Sequence, residues 1–378
     1  SQQPYKASLV RVLYADPNPE GPGVKLENIP SSWEGTYPSR EQKFFPGSYG
    51  RVDSTGSLCR LEDFSALITL WPTRPGSGEQ TLVSHQDSTS GWSLFLDDEG
   101  CLAAKLGKAG DTRKFRLEGS LRERKWYQAW LTYDAQTSKL TLGKAILDPG
   151  LKSEDQTASS ADYAFESVSQ EVPFLIGAQY SDSTHSHFNG KLEEPKIFSR
   201  SLNQQEIEQA FSGKIPDGLL ARWDFSREIP TSKMIDLGPE NLEGYLVNCP
   251  ARGMTGSNWK GKEMCWRHAP EDYGAVHFHE DDIYDFGWDT DFTIHLGEDL
   301  QSGIYAVKLE CEGNEDFIPL FVLPARGKRK ADLCVLVSTF TYTVYGNHAR
   351  PDFKDPWRER IRDWNAYPHN PADFRHYG

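Results

Sequence analysis

The sequence predicts a mainly β protein: a β-sandwich inserted in a second β framework, followed by the first strand of an incomplete α/β domain. Three observations predict it. Short segments of alternating apolar and polar residues, cut by turns, recur between residues 64 and 226 with one short helical pattern near the end. Strand patterns stand on both sides of that stretch, at Leu9 to Tyr14 and at "GIYAVKLE", and a lone strand needs partners. Beyond residue 330 the pattern changes to the continuous apolar run Leu333-Cys334-Val335-Leu336-Val337.

The elements follow in order. "FSALITLW" (64–71) alternates as a half-buried strand does, and "TLVSHQD" follows a Gly/Pro-rich break. "GWSLFLDDEGCLAAKLG" is two strands joined by a turn that ends in Gly100, and "KWYQAWLTYDAQTSKLTLGKAI" is a second hairpin turning at Asp134 to Ser138. "PFLIGAQYS" and "FNGKLEEPKIFSRSL" add strands. "NQQEIEQAF" is a short helix with Asn203 as N-cap and Glu206 three residues on, in capping-box position. "LLARWDFS" (219–226) is a closing strand. Further on, "GIYAVKLE" turns at Gly313-Asn314 and resumes as "FIPLFVLP". Four basic residues with Pro324 and Gly327 make a linker, and "LCVLVSTF" then reads as a central parallel strand buried on both faces.

The strand spacing, the late helix and "FNGKLEEPKIFSRSLNQQEI" with "ARWDF" resemble the laminin-G-like, concanavalin A-like jelly roll. The hairpin at 303–322 is similar to the last hairpin of an immunoglobulin-like sandwich. The expected organisation is therefore residues 1–55 as the first part of an immunoglobulin-like framework, 56–228 as the inserted jelly roll and 229–325 as the second part of the framework. Residues 326–378 begin an α/β domain completed by residues outside this chain.

Bulk properties exclude some classes. The 378 residues carry a formal net charge of −14, which argues against a nucleic-acid backbone as partner. Mean hydropathy is −0.62, and no apolar run approaches the ~20 residues a helix needs to cross a bilayer. Six cysteines are scattered without a CxxC pair, which fits reduced thiols in a cytoplasmic protein. Ser1 is not preceded by a methionine and no signal-peptide pattern follows, so either the start was removed or the chain is one piece of a longer polypeptide.

Four constellations stand out. "HFHEDD" (His277, His279, Glu280, Asp281, Asp282) puts two imidazoles on one strand face; the readings are a metal pair without an assignable third ligand, or a strand running into an acidic turn. "THSHFNG" repeats the pattern with His185 and His187. Trp92 is an aromatic able to stack on a sugar, or simply core, and the acidic residues nearby lack the spacing of a calcium loop. The last group is "STFTYTVYGNHAR", at the carboxyl end of the apolar run, where open α/β sheets keep their ligands. No GxSxG, Walker, HExxH or CxxC motif occurs, and no protein nucleophile with a positioned base can be assembled.

"VRVLYADPNPEGPGVK", "SSWEGTYPSREQKFFPGSYGRV", "GAVHFHEDDIYDFGWDTDFT", "STFTYTVYGNHAR" and "NAYPHNPADFRHYG" together resemble the N,N-dimethylformamidase large-subunit family, in one order over nearly the whole chain. The resemblance implies an amidohydrolase that cleaves small N-substituted amides to amine and carboxylate. It implies one Fe(III), held by two tyrosine phenolates and a glutamate, that polarises the amide carbonyl and activates water. It also implies a small subunit and a dimer of heterodimers. Carried over, the first phenolate is Tyr342, with Tyr345 as the alternative; Asn347 and His348 are candidates for contacts with the substrate or for support behind the metal ligands. Tyr377 is the late tyrosine near the place of the second ligand, but that ligand and the glutamate are expected outside this chain, on the rest of the large subunit or a second polypeptide. The competing expectation is a non-catalytic β-sandwich module that binds carbohydrate or a surface.

Overall fold

The structure, a computed structural model, describes residues 3–15, 20–87, 90–108, 111–168, 172–181, 183–297, 300–324, 326–327 and 332–341. It divides into two compact units, Ser1–Lys43 with Trp288–Gly378, and Phe44–Gly287.

In the first unit, "SLVRVLY" and "GIYAVKLE" are rich in β-branched and aromatic residues, and they meet. Tyr5–Ala15 pairs antiparallel with Gly303–Cys311, Leu9 opposite Val307, although the two lie some three hundred residues apart. Val24–Ile29 and Gly35–Tyr37 extend the sheet from one end of the chain and Asn314–Val322 from the other. Ala7, Leu9, Val10, Tyr305, Ala306 and Val307 form its buried centre. Beside it, the Phe292 ring lies 4.4 Å from Tyr37 and 5.5 Å from Trp33. The hairpin turns at Glu312-Gly313, one residue earlier than the sequence suggests. A two-residue turn between right-twisted strands requires positive φ at both central positions, and these two take it, at 50° and 82°.

The second unit is the concanavalin A-like sandwich, and it makes the chain mainly β. Its strands follow one another without a break around the sandwich. From Gln156–Ser160 the order runs through Lys139–Ile146, Tyr127–Asp134, Phe64–Pro72, Gly190–Phe198, Leu219–Asp224, Lys233–Asp236 and Gly244–Val247. It continues through Tyr49–Val52, Phe174–Ile176, Gln80–Gln86, Gly91–Leu96 and Cys101–Lys108 to Asp111–Ser120. Ala275–Phe278 adds to Gly190–Phe198 at Leu192–Val276. The boundaries thus differ from those read at residues 55 and 228. Tyr49–Val52 bonds to Phe174–Ile176 and Gly244–Val247, and Ala275–Phe278 bonds to Gly190–Phe198, so residues 44–55 and 229–287 pack with the sandwich.

Between the two faces an aromatic series fills the core: Phe64 on Trp92 (4.8 Å), Trp92 near Phe174 (6.1 Å) and Phe174 on Trp223 (4.9 Å). Each such pair adds about 0.5–1.5 kcal/mol to its burial. Trp92 is 1% exposed, so it packs as core and presents no surface for a sugar. The helix Gln204–Phe211 carries the anticipated capping box, with Asn203 Oδ1 accepting from Glu206 N (3.0 Å) and Glu206 Oε2 from Asn203 N (2.9 Å). Its Ile207 and Ala210 cover Leu67, Trp130 and Phe198. That second layer is why Phe64–Pro72, read as half-buried, is buried on both faces.

Leu333 to Val337 does not form the central strand read from its apolar run. Leu333, Val335, Leu336 and Phe340 are exposed, because a parallel central strand needs a bonded neighbour on each side and no described strand pairs with this segment. No disulfide joins any of the six cysteines. Among the described residues no helix is long and apolar enough to cross a membrane.

Two measurements check this packing. Gly143 lies under the Trp130 indole, and a Cβ there would stand 2.0 Å from the ring. Gly143→Ala should therefore lower stability by about 1–3 kcal/mol, with partial recovery when Trp130→Leu is added; a neutral Gly143→Ala in thermal unfolding contradicts the stacking. His85 is 1% exposed with Nε2 3.2 Å from Val172 O, and burial pushes its pKa down to about 4. The unfolded chain takes up that proton near pH 6.5, so this stability is complete above 6.5 and lost as pH falls towards 4. Parent and His85→Gln should diverge across that window by up to about 3 kcal/mol; parallel stability–pH curves contradict it.

Candidate functional site

Tyr342, Tyr345, Asn347, His348 and Tyr377 lie outside the described residues, which reach Thr341. Among the described residues no three His, Cys, Asp or Glu side chains converge as a metal cluster.

The two histidine motifs of the sandwich resolve differently. His185 ends the small hairpin Gln179–Tyr180/Thr184–His185, with Nδ1 3.1 Å from Ser186 Oγ and 3.3 Å from Gln179 Nε2. Gln179 Nε2 also donates to Glu79 Oε1 (2.8 Å). His187 is pressed against the backbone at Gly47, where a Cβ would stand 2.4 Å from its ring, with Tyr49 5.7 Å away. Burial lowers the pKa of both imidazoles. One orders a polar hairpin and the other packs; they do not form a site together.

His277 and His279 do come together. They alternate along the end of Ala275–Phe278, and their ring centres are 4.2 Å apart. His279 Nδ1 lies 3.2 Å from Asp282 Oδ2, and that carboxylate raises its pKa. Ser48 Oγ, on a fully buried residue, donates to the same oxygen (2.7 Å) and accepts from His279 N (3.1 Å). Asp282 thus receives both partners. In a nucleophilic triad the imidazole stands between serine and carboxylate, so this is a structural clasp and no serine nucleophile.

His277 faces a different environment. Trp71, Lys191 and His277 stand opposite one another in register on three adjacent strands. Lys191 Nζ donates to Thr255 Oγ1 (2.9 Å) and lies 4.8 Å from the Trp71 ring centre. His277 meets the Trp71 ring edge-on at 6.2 Å, and its Nε2 is buried without a hydrogen-bond partner among the described residues. Burial first, then the charges of His279 and Lys191, push its pKa down to about 4.

A second charged group was not read from the sequence. Glu194, in the left-handed region at φ 46°, sits at the irregularity between Glu193 and Lys196 and holds both Lys196 Nζ (2.6 Å) and Arg222 Nε (2.6 Å). Lys196 is 1% exposed, and burial lowers its pKa. Glu193, raised by burial, accepts from Ser257 N (3.0 Å). Each charge has a partner inside the protein, so the group reads as a brace for the bulge.

Comparison with known proteins adds what the geometry leaves open. Residues 251–375 match the family described as N,N-dimethylformamidase beta subunit-like, C-terminal. Residues 46–208 match the concanavalin A-like lectin/glucanases superfamily. The chain is 37% identical to the N,N-dimethylformamidase beta subunit of Paracoccus aminophilus and 36% to that of an Alcaligenes species; both alignments cover 91% of this chain and 48% of the relative. It thus spans about half the length of the curated relatives it matches. Among solved structures, the CBM40 of a Ruminococcus gnavus sialidase is similar over 45% of this chain and 96% of its own, at 17% identity and a TM-score of 0.37; a likeness that remote says nothing about ligand.

Proposed function

We propose that this chain is part of an N,N-dimethylformamidase beta-type subunit, and that it contributes to a metal-dependent amidohydrolase cleaving small, dimethylformamide-like N-substituted amides to amine and carboxylate. One observation carries the reading: the similarity to two subunits of that name extends over 91% of this chain at 36–37% identity. The family match at 251–375 includes the "TFTYTVYGNHAR" segment.

On this reading Tyr342 is the ligand supplied by the chain, with Tyr345, three residues on, as the alternative. A phenolate is a hard oxygen donor and suits Fe(III). Bound with further oxygen ligands, that ion supplies Lewis acidity towards an amide carbonyl and a water molecule. Asn347 and His348 orient the amide, the first through its carboxamide and the second through an imidazole able to hold or pass a proton. The second phenolate and the glutamate come from polypeptide outside these 378 residues, and a small subunit completes a dimer of heterodimers. Six cysteines without a disulfide suit the reducing cytoplasm. The sugar-binding alternative loses its aromatic, since Trp92 is buried.

The test is spectroscopic and catalytic together. The complete assembly should be coloured by phenolate-to-iron charge transfer, and the isolated 378-residue chain nearly colourless, because one phenolate cannot hold a hard ion that prefers several oxygens. Tyr342→Phe keeps the ring and removes the oxygen, so iron content and amide hydrolysis should fall together. If Tyr345→Phe abolishes both while Tyr342→Phe does not, the ligand is Tyr345. An assembly with zinc or no metal, or iron untouched by either change, overturns the mechanism.

A further inference from the structure

We propose that His277 and His279 form a two-imidazole site for a divalent ion of the zinc, nickel and copper class. The inference stands on the described residues alone and does not rest on the function proposed above.

Residues two apart on a strand share a face, which brings the two rings to 4.2 Å between centres. With metal–nitrogen bonds of about 2.0–2.1 Å, two rings that share one ion stand about 4.5–5 Å apart between centres, so a small spreading of this pair lets both ligate. The surroundings of His279 are those of a ligand. Its Nδ1 faces the Asp282 carboxylate at 3.2 Å, and Ser48 Oγ fixes that carboxylate at 2.7 Å. A carboxylate on one ring nitrogen sets the tautomer and leaves the lone pair of the other for a metal. His277 supplies the second nitrogen: its Nε2 is shut off from solvent and has no partner among the described residues. A buried polar atom left so is costly, and an ion would satisfy it.

Lys191 opposes a cation here. Its ammonium is held by Thr255 Oγ1 at 2.9 Å, above the Trp71 ring. The Asp281 and Asp282 carboxylates, which both act on His279, offset it; Glu280 is already engaged by Arg74 (2.8 Å). Only two protein nitrogens contribute, so binding has to open the site at His277 Nε2 and admit water to the remaining positions. Affinity should rank copper above nickel and zinc, as imidazole ligands do.

The experiment uses the full 378-residue chain, stripped of metal and titrated calorimetrically with Cu(II) and with Zn(II), with electron paramagnetic resonance of the copper form. One equivalent of Cu(II) should bind, with hyperfine structure from two imidazole nitrogens. His277→Ala and His279→Ala should each weaken binding by at least about tenfold, and Asp282→Asn by a smaller factor, as loss of an orienting partner does. His185→Ala should change nothing. His279→Gln keeps a hydrogen bond to Asp282 and serves if the alanine variants do not fold. Absence of stoichiometric binding, or binding unchanged in folded His277 and His279 variants, overturns the site.

Discussion

The two ends of residues 44–287 must meet, and the rest of the structure depends on that constraint. Tyr5–Ala15 pairs with Gly303–Cys311, so the intervening sequence has to leave one framework segment and return to the other. The return is made at the clasp. Gly47 N donates to Asp282 O (2.7 Å), Ser48 N to His279 O (2.9 Å), and the rings of Phe44 and Phe286 meet edge to face at 5.3 Å. Asn248 ties in a third segment, donating to Phe45 O and Gly47 O. Adjacent ends are what allow one domain to sit within another.

Closing those ends also fixes the sandwich. Tyr49–Val52 follows Gly47 directly and lies between Phe174–Ile176 and Gly244–Val247, so the residues that shut the unit also sit inside one of its sheets. The aromatic series from Phe64 to Trp223 then packs between faces already held in register. Trp223 satisfies its indole N–H on Leu242 O (2.8 Å), in the segment that leads to Gly244–Val247. Hydrophobic burial supplies the larger energy, while these few directional contacts select one arrangement.

Local chemistry was legible in the sequence. The capping box of Asn203 and Glu206 and the Gly100 turn, where Asp97 Oδ1 accepts from Cys101 N (2.9 Å), need only neighbours a few residues away. The alternation of His277 and His279 onto one face was equally readable. Their support was not: Ser48 reaches Asp282 across more than two hundred residues, and no pattern in either segment announces it. The same distance hid the sandwich's limits, since Gly244–Val247 reads as any short strand until Tyr49–Val52 stands beside it. Trp92 looks the same in sequence whether its ring faces core or water. The tyrosine segment was read by resemblance alone, and Tyr342 and Tyr345 lie outside the residues the structure describes.

The clasp has a mechanical consequence. Both ends of the sandwich leave from one corner, so a pull that separates residues 44 and 287 first loads the few bonds at Gly47 and Ser48, one after another. Tension carried through the chain would therefore open this corner well before it disturbed the aromatic core.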